Sequence, residues 1–185
     1  MKKLIIVIIV ILAALLLTAG IIVLILCLKK KNNQTVKLGT FLEMDYTPGY
    51  GDMNGASHRE YLDQDKEGKW TIVSNDREDF ESPWTVTTYA VSDEALKEFE
   101  AFVKEKNVPA LADRKDSEEF ITDYTAWNFV FYFDNTSVGG EKQVRYSIEE
   151  YKVYSDSDTA LLKELRERFK ALHGEILSQE TKTED

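Results

Sequence analysis

The sequence predicts an α+β domain joined to an N-terminal membrane-spanning helix. An unbroken apolar run covers residues 4–28, several segments of two-residue alternation follow it, and two segments with a helical apolar period are interleaved with those. Hairpins followed by helices favour one antiparallel sheet, here of about five or six strands, with both helices on one face. The expected order is strands, helix, two strands, helix.

The run holds only Leu, Ile, Val and Ala apart from Thr18, Gly20 and Cys27. A bilayer core about 30 Å thick needs about 20 apolar residues in a helix, so the run spans it with some tilt. Its Leu, Ile and Val residues favour insertion by on the order of 8 kcal/mol. Lys2 and Lys3 precede it; Lys29, Lys30 and Lys31 follow it as membrane-flanking charges. Secretory signals normally have an apolar segment of about 7–15 residues, so this one reads as uncleaved. Cys27 follows Leu26 rather than a small residue, which argues against lipidation. Lys37 tips the local lysine count toward a cytoplasmic C-terminus. The Met-Lys-Lys start followed at once by the apolar run instead reads as a signal anchor with the domain outside, and that topology is expected.

Residues 29–37 read as a basic and polar tether, 38–177 as the folded domain and 178–185 as a polar, fraying tail. All Phe, Tyr and Trp residues lie beyond residue 40, enough for a packed core. No acidic residue precedes Glu43; the chain carries −10 overall, and −15 once the five flanking lysines are set aside. Such a surface repels phosphate backbones, so no nucleic-acid partner is expected. The expected partners are the lipid bilayer, through residues 4–28, and a protein, basic by charge complementarity. With one cysteine, inside the apolar run, the chain has no internal disulfide and no cysteine-based zinc site.

The first strand is expected over residues 38–46, with Leu42, Met44 and Tyr46 on one face. Residues 47–57 (TPGYGDMNGAS) form a turn-rich loop. Residues 59–64 and 69–74 read as strands around Asp65-Lys66-Glu67-Gly68, a hairpin turn. Trp70 and Ile72 share one face of the second, Thr71 and Val73 the other. Residues 84–91, rich in Val, Thr and Tyr, make another strand. Ser92 caps a helix whose Leu96, Phe99, Phe102 and Val103 form a stripe, and Asn107-Val108-Pro109 ends it. A charged connection covers 110–120. In the strand over 126–134, Trp127, Phe129, Phe131 and Phe133 point one way. A Gly139-Gly140 turn leads to a strand over 143–154. The last helix starts at Asp156 and carries Leu161, Leu165, Phe169, Leu172 and Ile176 as its stripe.

No catalytic constellation is visible, so a non-enzymatic protein is expected, with no cofactor, metal or small-molecule ligand. The Asp63–Gly68 stretch partly matches a calcium loop, but position twelve is Ser74 and strands flank it, which favours a plain hairpin. His58 and His173 are the only histidines and nothing in the pattern brings them together. Two Asn-x-Ser/Thr sequons start at Asn33 and Asn135. The best contact candidate is the glycine-rich loop displaying Tyr50, Asp52, Met53 and Asn54, because loops on a sheet scaffold often carry binding.

The lysine-flanked anchor, GYGDMNG, the DKEGKW hairpin and YAVSDEALKEFEAFVKEKNV together resemble small uncharacterised bacterial single-pass membrane-anchored proteins. The resemblance covers the anchor and roughly residues 41–107. It implies anchoring and a similar α+β domain, and it brings no activity. Three function classes follow: a binding or accessory domain of the bacterial envelope, an acidic inhibitor or immunity-type module that neutralises a basic partner, and an enzyme of unrecognised class. The first is the expectation.

Overall fold

The computed structural model describes residues 36–49, 55–118 and 126–183. The apolar run, its flanking lysines and the Tyr50, Asp52, Met53 and Asn54 positions lie outside them. Among the described residues no helix is long and apolar enough to cross a membrane.

One antiparallel sheet of seven strands dominates. In chain order these are β1 (Thr40–Thr47), β2 (Ser57–Gln64), β3 (Trp70–Arg77), β4 (Trp84–Ala90), β5 (Asn128–Asp134), β6 (Val144–Glu149) and β7 (Ile176–Lys182). Helix α1 (Asp93–Glu105) follows β4, and α2 (Asp156–Lys170) follows β6. Across the sheet the strands run β6-β5-β1-β2-β3-β4-β7. The sheet therefore has one strand more than the upper expectation.

That extra strand corrects the reading of the C-terminus. Residues 178–182, expected within a frayed tail, are part of a strand: 176–182 pair with β4, from Tyr89 opposite Ile176 to Trp84 opposite Lys182. Every residue of β7 is exposed, so the ladder and not apolar burial holds it. A polar strand of this kind leaves no hydrophobic pattern to read. Ile176 belongs to this strand, and α2 ends six residues earlier; its buried apolar stripe is Leu162, Leu165 and Phe169, continued by Leu172.

Alternation places Met44, Tyr46, Leu62, Ile72, Phe129, Phe131, Phe133 and Ile148 on one face, where they join Leu96, Phe99, Phe102 and Val103 of α1 and the α2 stripe in a single core. β1 departs from strict alternation. A bulge between Phe41 and Glu43 inserts Leu42 as an unpaired residue, and Phe41 takes its place in the core. The Phe41 ring packs edge-on against Phe133 at 5.6 Å and tilts over Trp70 at 5.6 Å.

The helix starts are built as the sequence indicates. Ser92 Oγ accepts from Ala95 N, with Asp93 and Glu94 in the first turn. Ser155 and Asp158 form a reciprocal capping box. Asp158 also takes a two-pronged contact from Arg114, at 2.8 and 3.0 Å, which fastens α2 to the segment after α1. That segment is not only a charged connection: 108–113 form a 3₁₀ turn that buries Val108, Pro109 and Leu111. β6 stops at Glu149, short of the strand expected to residue 154.

Candidate functional site

The face of the sheet opposite the aromatic core carries a groove of about 790 Å³. Its floor comes from alternate residues of neighbouring strands: Tyr61 and Asp63 of β2, Thr71, Val73 and Asn75 of β3, and Thr88 of β4. The β2–β3 turn forms one wall with Asp65, Lys66 and Glu67, and Leu177 of β7 forms another. The ladder skips Leu177, since Thr88 pairs with Ser178 and Tyr89 with Ile176. This bulge shows an apolar side chain, 53% exposed, at the groove edge.

The turn at the groove wall is self-contained. Asp65 Oδ1 accepts from the backbone N–H groups of Glu67 at 2.8 Å and Lys69 at 2.9 Å. Its carboxylate thus shapes a hairpin, as the sequence led one to expect, and Glu67 pairs with Lys69 at 3.0 Å.

Acidic side chains are crowded on this face. Asp45 of β1 lies opposite Tyr61 in the ladder, and Asp63 stands two residues further along β2. Glu43 is held above the ordinary carboxylate range by its burial, and by the charges of Asp63 and Asp45. Arg59 answers part of this charge: Nη2 is 3.1 Å from Asp45 Oδ2, and its guanidinium sits 4.7 Å from the Tyr61 ring centre. Like charges held side by side across strands destabilise a sheet. Among the described residues the groove lining contains no His, Cys or Ser. What it offers is the carboxylates of Asp63, Asp65 and Glu67 beside one lysine, Lys66, with one aromatic ring and a small apolar rim.

Of the predicted contact loop, residues 47–49 and 55–57 are among the described ones. Gly55 has φ +83°, and a Cβ there would meet the Phe80 ring at 2.4 Å, so glycine is required on both counts. Arg77 Nε donates to the Gly55 carbonyl at 3.3 Å, and its guanidinium lies over Phe80 at 5.4 Å and Trp84 at 4.5 Å. Phe80 is 70% exposed. The loop therefore ends beside a displayed aromatic, at the end of the sheet opposite the β2–β3 turn.

Sequence pattern missed a second polar group, on the core side of the sheet. β2 and β3 set His58 opposite Asp76 and Glu60 opposite Ser74. The chain after α2 brings in His173. Glu60 Oε1 lies 3.2 Å from His58 Nε2 and 2.9 Å from His173 Nε2. His58 Nδ1 contacts Asp76 Oδ1, and Ser74 Oγ donates to Asp76 Oδ2 at 2.7 Å. Both histidines are mostly buried, so the expectation that nothing brings them together is corrected. Glu60 is burdened by burial, which alone would raise its pKa, yet the bonds from His173 and His58 bring it down to about 2. The only sequence signal was Glu60 at an inward position of a strand otherwise following alternation. Among the described residues no group of three or more His, Cys, Asp or Glu side chains has an arrangement suited to a metal ion.

Comparison with protein-family models, curated proteins and solved structures finds no match to this chain.

Proposed function

We propose that this chain is a non-enzymatic binding domain of the bacterial cell envelope, tethered by residues 4–28 with its folded part outside the membrane, and that it engages a basic protein through the open face of its sheet. The observation that carries the binding reading is the crowding of Glu43, Asp45 and Asp63 around Tyr61 beside an open groove. A cationic side chain placed there relieves repulsion that the folded domain otherwise bears. Tyrosine and a small apolar rim supply contact area at low entropic cost.

The same acidic face also favours a second, narrower reading, an inhibitor or immunity-type module that neutralises a basic partner. The two differ in the partner: an envelope component in the first, a toxic basic protein in the second. The test is photo-crosslinking from position 61 in the full-length chain in its own membranes. The expected product is a basic protein whose capture falls as salt rises, because the encounter is electrostatic. Capture that ignores salt removes the charge-based reading. In the same preparation the chain should stay with the membrane through alkaline carbonate and be cut by protease added to intact spheroplasts. Release by carbonate contradicts the anchor, and protection contradicts the topology.

A further inference from the structure

We propose that His58, Glu60 and His173 form a proton-operated clasp that holds the connection between α2 and β7, and with it the edge strand, against the sheet. His58 presents Nδ1 to the Asp76 carboxylate and Nε2 to Glu60 Oε1. His173 presents Nδ1 to the Lys170 carbonyl at 3.0 Å and Nε2 to the same Glu60 oxygen. Each ring thus stands between two acceptors. A neutral imidazole has one N–H and one lone pair; only the doubly protonated ring can donate at both ends. Loss of either proton turns a lone pair toward a carboxylate or a carbonyl.

The surroundings favour the cationic form. β2 supplies Glu60 and β3 supplies Asp76, so two carboxylates face two imidazoles. β1 supplies Tyr46, which feels Glu60 and also the Arg166 guanidinium of α2. β4 supplies the Tyr89 ring, 4.7 Å from His173, and α2 supplies the Phe169 ring at 5.8 Å. Burial pulls both histidines down, but the bonds to Glu60, joined by Asp76 for His58, outweigh it, and both pKa values lie above the ordinary 6.5.

What the clasp holds follows from the chain. Gly174 comes directly after His173; its N–H donates to the Ala90 carbonyl at 3.0 Å, and Ala90 N–H donates to the Glu175 carbonyl at 2.9 Å. A Cβ on Gly174 would meet the Ala90 carbonyl oxygen at 2.6 Å, so the chain runs tight against β4 here. β7 begins next and buries no side chain. His173 is therefore the side-chain anchor nearest the start of an edge strand held by its ladder. Because the folded histidine values are raised, the clasp is complete below pH 6.5, down to the acid range where Glu60 itself takes up a proton, and is lost as pH rises through the folded values. Loosened β7 uncovers the edge of β4.

The test uses the full-length chain in detergent micelles. Ring ¹⁵N shifts should show both histidines titrating with midpoints above pH 6.5. Exchange of the β7 amides, corrected for the intrinsic rate, should rise across that titration, about tenfold for each unit by which the histidine value exceeds 6.5. In His173→Gln, whose amide can donate to Glu60 without titrating, that rise should shrink to what His58 alone contributes. Histidines that titrate at or below 6.5 in the unmodified chain overturn the proposal without any variant. So does a β7 exchange profile identical in His173→Gln. A zinc-dependent gain in protection that His173→Gln abolishes would put a metal where the protons are placed here, and would overturn it too.

Discussion

The Gly39 backbone N–H donates to Asn135 Oδ1 at 2.8 Å, joining residues 96 apart in sequence. Asn135 Nδ2 in turn donates to the Tyr146 hydroxyl at 3.1 Å. One buried amide, 5% exposed, thus ties the entry to β1, the β5–β6 turn and β6 together. Asn135→Ala should lower stability by about 2 kcal/mol, because it orphans a buried N–H as well as losing two bonds. Urea denaturation should show a lower midpoint at unchanged slope. The same burial argues against sugar attachment at this sequon once the domain is folded.

Phe131 is fully buried on the core face, opposite Met44 of β1 and Tyr146 of β6. Phe131→Ala should cost about 3–5 kcal/mol. Val130, on the opposite face, is also buried, at 6% exposed. Val130→Thr should therefore cost about 1–2 kcal/mol for its hydroxyl. Equal midpoints for Phe131→Ala and the unmodified chain would mean the aromatic stripe is not core.

The Glu60 pKa of about 2, against an ordinary 4.5, makes the acid limb of stability predictable. A carboxylate with a lowered folded value contributes stability that is present above pH 4.5 and lost as pH falls toward 2. The contribution is on the order of 3 kcal/mol. Melting temperatures measured from pH 5.5 down to pH 2.5 should fall, and Glu60→Gln should flatten part of that fall. An unchanged slope in Glu60→Gln would assign the acid limb to other carboxylates.

Deleting residues 176–185 should cost little apolar burial, since all of β7 is exposed. It should instead bare the β4 edge, which carries Trp84, Val86 and Tyr89. Light scattering should show association of the shortened chain at concentrations where the full chain is dispersed. A shortened chain that stays dispersed would show that β7 does not guard that edge.

How much of this was legible in the sequence depends on where the signal lay. Trp127, Phe129, Phe131 and Phe133 announced β5 because they alternate on a buried face, and Ser92 announced α1 because a cap needs its hydroxyl there. β7 was not legible, because ILSQETK buries nothing and is defined by backbone pairing. The exchange of Phe41 for Leu42 in the core follows from a bulge, which alternation cannot foresee. The meeting of His173 with Glu60, 113 residues away, needed the tertiary path of the chain. The open-face groove was equally out of reach: its acids come from β2 and a turn, those of β1 stand beside it, and all looked in sequence like ordinary solvated charge. The Tyr50, Asp52, Met53 and Asn54 positions lie outside the described residues.

The most direct test of the acidic-face account is the double variant Asp45→Asn, Asp63→Asn in the full-length chain, read for stability and for partner capture together. Crowded like charges weaken the fold, so removing two should leave the melting temperature unchanged or raise it, by about 0.5 kcal/mol of stability. Crosslinking of the basic partner from position 61 should fall at least tenfold, and its salt dependence should flatten. A variant that captures the partner as well as the unmodified chain, or that loses stability along with capture, would contradict the claim that these acids are held together for binding.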